Sequence, residues 1–379
     1  MKTVAVVFGT RPDAIKMAPV VKAFQESSFW KTRVVVTGQH REMLDQVLDL
    51  FSIVPDVDLS VMRHQQSLAS LTSTILTGLD EAYAKLQPDL VLVHGDTTTA
   101  FVGALSAFYQ GIPVGHVEAG LRSGTYDNPF PEEANRRLCG VLSHLHFAPT
   151  DTARGHLIQE GVPSERVWVT GNTVIDALLS VVSDSFQFTS PVLQALSFER
   201  PILLVTAHRR ENWGAPLASI CGAIQEIAAA EDVDVVFAMH KNPAIQAVVR
   251  EQLVGHERVY LMDAPGYAEF ANLMHRCQLL LTDSGGLQEE APALGKPVLV
   301  LRDTTERPEG LAAGTVRLVG SDRETIVGAV TELLRDPEAY NRMARAANPY
   351  GDGKAAERIR AILEKDIETP GIWREHDGN

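Results

Sequence analysis

Four carboxylates stand where a βα chain places chemistry. Asp96 lies in VHGDTTTA (93–100), Glu118 in HVEAGLRSG (116–124), and Glu132 and Glu133 in PFPEEANRR (129–137). Each follows an apolar run or opens a helical one. A single acid at such a point is an ordinary helix cap. Three at successive strand or helix ends are a different matter, because a carboxylate near others has a raised pKa and can exchange protons near neutrality. Cations flank them: GTRPDAIKMAP (9–19) brings Arg11 and Lys16 to the start of a helix, and TAHRRENWG (206–214) and FAMHKNP (237–243) end strands with His208 and His240. In TDSGGLQEE (282–290), bare amides at a helix start suit a phosphate. Arg307 in RDTTERPEG (302–310) is a natural partner for the same anion.

The elements that must position these residues are legible as alternating β-branched runs and amphipathic stretches. TVAVVFG, TRVVVTG, LVLVHGD, IPVGHVEAG, HLHFAPT and VWVTGN form one series up to residue 172. Residues 183–200 are loop-like. The series then restarts with PILLVTAH, VDVVFAMH, RVYLMDA, QLLLTDSG, KPVLVLRD and TVRLVG. This pattern predicts an α/β protein with two Rossmann-like, doubly wound domains, each a parallel sheet covered on both faces. Open α/β sheets place ligands outside the carboxyl ends of their strands, so a cleft between the domains is expected. The boundaries read from the pattern are 1–170 for the first domain and 171–365 for the second, with 366–379 packing back on the first.

With 379 residues and 45% hydrophobic content, the chain is long enough for two cores. A net charge of −14 argues against a broad nucleic-acid surface, so an anionic ligand must be met by a few local cations and helix ends. The scattered Cys139, Cys221 and Cys277 suggest neither a disulfide framework nor a sulfur-rich metal site, and a reducing cytoplasm fits best. His144 and His146 share a strand face without an evident third ligand, so no metal is expected. No apolar stretch approaches transmembrane length, and no membrane partner is expected.

Taken in order, GTRPDAIK, GQHREMLDQV, VHGDTTT, GHVEAGLR, PEEANRR, TGNTVIDAL, HRREN, TDSGGLQEEAPALGKPVLVLRDTTERPEG and NPYGDG resemble the non-hydrolysing bacterial UDP-N-acetylglucosamine 2-epimerases. The likeness spans nearly the whole chain. It implies a fold of the glycosyltransferase B type with the C-terminal helix crossing back to the first domain, and a homodimer. It also implies reversible conversion of UDP-GlcNAc to UDP-ManNAc without nicotinamide cofactor or metal. By motif position, Lys16, Asp96, Glu118, Glu132 and His208 would be catalytic. Arg11, His240, Phe270, Ser284, Gly285, Gly286, Glu290 and Arg307 would hold substrate. Some members bind a second UDP-GlcNAc as an activator, at positions matching Gln39, His40, Glu42 and Gln65. Here Glu42 and Gln65 stand where activator-dependent members carry Gln and Arg, a departure at that site.

The C2 hydrogen of the sugar is not next to a carbonyl, so an enolate route is closed. Loss of UDP with the C2 proton would give a 2-acetamidoglucal, and re-addition with a proton on the other face would give the epimer. Glu290 would accept from the ribose hydroxyls while Ser284 to Gly286 donate to phosphate; Glu289 would cap the helix or pair elsewhere. Rival readings are a hydrolysing relative that releases ManNAc and UDP, a glycosyltransferase of the same fold, and a non-catalytic sugar-nucleotide sensor.

Overall fold

The computed structural model describes residues 1–38, 41–63 and 66–366. The chain divides into two compact units, one of residues 1–177 together with the chain from Tyr350 on, the other of Leu178–Pro349.

Among the described residues, the first unit is built on a seven-stranded sheet of β1 (Lys2–Phe8), β2 (Trp30–Val36), β3 (Val57–Asp58), β4 (Leu90–His94), β5 (Val114–Val117), β6 (Leu145–Ala148) and β7 (Val167–Val169). Their spatial order is β3-β2-β1-β4-β5-β6-β7, and neighbouring strands pair in parallel. The order reverses between β1 and β4, so the loops after these two strands diverge and leave a crevice at their carboxyl ends. Gly9 to Lys16 and Gly95 to Thr97 occupy that position.

The second unit repeats the plan with six strands: β8 (Ile202–Thr206), β9 (Asp234–Met239), β10 (Val259–Asp263), β11 (Leu279–Thr282), β12 (Val298–Val300) and β13 (Val316–Leu318). Their order, β10-β9-β8-β11-β12-β13, puts the reversal between β8 and β11. Leu203, Val205, Val235, Phe237, Leu279 and Leu281 pack into one core cluster. Ile202, Leu204, Val236, Ala238 and Leu280 pack into another. The alternation explains the uninterrupted Val/Leu runs: with helices on both faces, neither parity of side chain meets water.

The division at 177 and 350 differs from the boundaries read at 170 and 366. The return begins at Tyr350, whose carbonyl accepts from the amide of Asn172 at 2.7 Å. Here the backbones of Gly171 and Gly351, both at positive φ, come so close that a Cβ on Gly171 would lie 3.2 Å from the Gly351 Cα. The helix Ala355–Asp366 then starts on Asp176, whose carboxylate accepts from the amides of Ala355 and Ala356 at 3.2 and 2.8 Å. Its Ile359 and Leu363 are fully buried, and Glu364 accepts from Ser27 at 2.6 Å. Of the segment 366–379, residues 367–379 lie outside the described residues.

Candidate active site

In the first unit, β1 delivers the chain to Gly9, where a Cβ would lie 2.1 Å from Thr37 Oγ1 and 2.4 Å from Thr99 Oγ1. These hydroxyls bond to each other at 2.8 Å and pin β1, β2 and the helix after β4 around the turn. Thr10 then caps the helix Arg11–Gln25 by accepting from the Asp13 amide. Arg11, at the first helical position, has no ion-pair partner among the described residues. One turn on, Lys16 donates from Nζ to Glu118 Oε2. Both cations stand at the crevice, but Lys16 is committed to a carboxylate.

Glu118 follows β5 with φ 61°, a left-handed conformation that costs a non-glycine residue roughly 1–3 kcal/mol and persists only where its surroundings enforce it. The enforcing contacts are Lys16 and Asn172, whose Nδ2 donates to the same Oε2 at 2.8 Å. Asp96 follows β4, with Oδ2 2.6 Å from Nη2 of Arg136. Burial raises its pKa, Arg136 and Lys16 oppose the rise, and the carboxylates of Glu118 and Asp13 add to it. Asp96 therefore lies within electrostatic reach of Glu118.

Glu132 and Glu133 separate in role. Glu133 is fully buried and accepts from the Ser123 amide, Arg136 and Arg137. Its burial pushes the pKa up, but the amide and the two guanidinium groups outweigh that and hold it below the usual value. It anchors the helix Glu132–Leu142. Glu132, half-buried at the first position, has no hydrogen-bond or ion-pair partner among the described residues.

Sequence reasoning passed over His94, the last residue of β4. Its ring is 3% exposed, and neither nitrogen has a hydrogen-bond partner. Nδ1 lies 3.6 Å from Asp13 Oδ1 and Nε2 lies 3.9 Å from Glu118 Oε2. The signal available was a histidine one step before the Gly-Asp turn, hidden because such a residue also reads as strand. His116, two strands' width from β1, is held neutral: burial pushes its pKa down to about 3, and Nε2 contacts the Gly95 carbonyl at 2.7 Å.

In the second unit, the reversal between β8 and β11 brings His208 to Asp283, with Nδ1 and Oδ1 2.9 Å apart. Asp283 is wholly buried and also accepts from the amides of His208 and Arg209 and from Asn212. His240, exposed after β9, stacks on His208 with ring centroids 5.6 Å apart and planes 19° apart. The turn Ser284 to Gly286 is partly exposed, and the Ser284 amide donates to Thr282 Oγ1 at 3.0 Å.

Glu290 is buried in the short helix Leu287–Ala293 and accepts from the Tyr267 hydroxyl at 3.1 Å. Glu289, also buried, takes Nε of Arg307. The two carboxylates beside the glycine turn thus have different partners, and the guanidinium assigned to phosphate is already charge-balanced by Glu289. Phe270, half-buried on the helix Tyr267–Arg276, packs against a core cluster. Behind the turn, Glu306 bridges Arg209 at 2.9 Å and Arg302 at 2.6 Å. Burial pushes the Glu306 pKa up, but these two guanidinium groups win and pull it down to about 2.

Gln39, His40 and Gln65 lie outside the described residues; Glu42 is in the helix Arg41–Leu50. Among the described residues, no three His, Cys, Asp or Glu side chains gather as metal ligands, and His144 Nδ1 instead accepts from the Val114 amide at 3.4 Å. No described helix is long and apolar enough to cross a membrane.

Two Rossmann-like units with polar residues gathered at the strand-order reversal of each define an α/β enzyme of the glycosyltransferase B type. A family model described as UDP-N-acetylglucosamine 2-epimerase matches residues 22–364, and the chain belongs to that family of isomerases. It is 53% identical to the UDP-N-acetylglucosamine 2-epimerase of Escherichia coli K12 over 371 residues, 96% of this chain and 98% of the relative. It is 51% identical to the enzyme of the same name from Bacillus subtilis 168, across 94% of this chain and 93% of that one. The crystal structure of UDP-GlcNAc 2-epimerase from Neisseria meningitidis bound to UDP-GlcNAc superposes with a TM-score of 0.85 at 48% identity, covering 96% of this chain and 100% of that one.

Proposed function

We propose that this protein interconverts UDP-GlcNAc and UDP-ManNAc by the non-hydrolysing route, supplying an activated sugar for surface polysaccharide synthesis in the cytoplasm, as a homodimer. The observation that carries the reading is the placing of Asp96, after β4, within electrostatic reach of Glu118, after β5, in a family whose name is UDP-N-acetylglucosamine 2-epimerase.

UDP leaves C1 while one carboxylate takes the C2 proton, giving a 2-acetamidoglucal. A second acid returns a proton on the opposite face, and UDP adds back to C1. Asp96, Glu118 and Glu132 are the acids of this scheme. Ser284, Gly285 and Gly286 meet the phosphates together with Arg11 and Arg307; Glu290 accepts from ribose. His208, with Nδ1 turned to Asp283, presents Nε2 to the departing diphosphate or to a proton in transfer. Lys16 holds Glu118 in its strained conformation. His240 and Phe270 complete the substrate contacts. Gln39, His40, Glu42 and Gln65 are the positions of a possible activator site.

The test is incubation of the purified protein with UDP-GlcNAc in D₂O, followed by NMR. UDP-ManNAc carrying deuterium at C2 is expected. Free ManNAc would instead support a hydrolase, and absence of exchange would overturn the epimerase reading.

A further inference from the structure

A two-base epimerisation leaves its enzyme altered. One carboxylate ends the turnover holding the proton it took from C2, and the opposite acid ends it one proton short. Before the next turnover in the same direction, the first must lose a proton and the second gain one. Solvent can do this only where the carboxylate is open to it, and the Glu118 side chain is 7% exposed, with Lys16 and Asn172 on Oε2.

Behind Glu118 stands His94. Its two nitrogens are buried and unpartnered, each pointing at a carboxylate: Nε2 at Glu118 Oε2, 3.9 Å away, and Nδ1 at Asp13 Oδ1, 3.6 Å away. A buried imidazole that makes no hydrogen bond is poor structural material. Placed between two carboxylates at slightly more than bonding distance, it is instead suited to bond them alternately. Beyond it, Asp13 Oδ2 accepts from the hydroxyl of Thr97 at 3.2 Å, and Thr97 is partly exposed. His116 of β5 is within electrostatic reach of the ring, and Lys16, from the same helix as Asp13, and Asp13 and Glu118 themselves act on Asp96 after β4.

We propose that His94 is a positioning residue that resets the protonation of Glu118 between turnovers by carrying a proton between Glu118 and Asp13. The inference rests on the two-base reading above. In the discharging direction the Glu118 O–H bond breaks as an Nε2–H bond forms; the Nδ1–H bond then breaks as a proton reaches Asp13 Oδ1. The recharging direction is the reverse. After each transfer the ring holds its proton on the opposite nitrogen, and a turn of the side chain with proton exchange at Asp13 restores the starting tautomer before the next turnover. No electrons change hands, and Asp13 exchanges its proton with solvent past Thr97.

The experiment compares the first turnover with the following ones by rapid quench on the full-length protein, for wild type, His94→Gln and Asp13→Asn. The expected result is a burst of about one product equivalent per site in His94→Gln, followed by steady turnover on the order of 100-fold slower than wild type. Asp13→Asn, which keeps the shape of the acceptor and removes its basicity, is expected to show the same burst. Equal slowing of the first and later turnovers in both variants, or wild-type steady rates in either, overturns the relay. A His94→Gln chain that does not fold, judged by circular dichroism, leaves Asp13→Asn to decide. Wild-type protein that makes no UDP-ManNAc refutes the functional reading itself, a result visible before any variant is tested.

Discussion

Asp283 Oδ1 lies 2.9 Å from Nδ1 of His208, and the other oxygen of the same carboxylate binds the backbone amide of that same residue at 2.8 Å. One buried acid therefore fixes both the ring and the main chain of His208. The contact engages Nδ1, which leaves Nε2 as the ring nitrogen available for chemistry.

Asp283→Asn replaces one acceptor oxygen with a donor and so disturbs the tautomer without changing the shape. Turnover is expected to fall on the order of 100-fold with little change in KM, read from initial rates. Burial pushes the Asp283 pKa up, but His208, the Arg209 amide and Asn212 outweigh it and hold the carboxyl below its ordinary value. The sign follows: a lowered native pKa contributes stability that is fully present above about pH 4 and is lost as pH falls through the native value. Acid unfolding of Asp283→Asn followed by circular dichroism should lack that component.

Asp96 runs the other way. Its pKa is raised in the folded chain, so its ionised form weighs against the native state above the ordinary carboxylate pKa. Asp96→Asn is expected to unfold at pH 7 at a temperature no lower than wild type, while losing at least about 100-fold in turnover. A thermal melt beside an activity assay checks both.

The neighbours Glu289 and Glu290 should separate experimentally. Glu290→Ala removes the acceptor assigned to ribose, and UDP affinity by calorimetry should fall about tenfold, the equivalent of about 1.4 kcal/mol. Glu289→Ala leaves Arg307 without its buried partner, so its main effect should be a lower melting temperature, with a smaller change in UDP affinity.

Asp176→Ala removes the acceptor of two amides at the start of the C-terminal helix. The expected cost is about 1 kcal/mol in urea unfolding. Gly9→Ala is expected to cost about 1–3 kcal/mol by the same measurement, because its Cβ must displace Thr37 and Thr99 from their shared hydrogen bond.

Much of the fold could be read directly. All twelve runs identified as strands are strands, because parallel sheets buried on both faces write themselves as continuous Val/Leu segments. The two-residue β3 has too little sequence to announce itself. At the site, Glu118 was legible as an acid at a strand end, but its left-handed backbone and its grip by Lys16 and Asn172 were not. Those contacts join residues up to 102 positions apart. Arg307 was legible as a cation near the glycine turn, whereas its pairing with Glu289 depends on how two helices approach.

By itself, the sequence determined which residue types arrive at strand ends, since period and turn chemistry are local properties of the chain. Only the tertiary structure decided which of those residues meet. The reversal in strand order lays β1 beside β4 and β8 beside β11, so Asp13, His94 and Glu118 converge in one unit and His208 reaches Asp283 in the other. Protonation follows from that convergence, because burial and the nearest charge set each carboxylate's pKa, and both are properties of the packed chain.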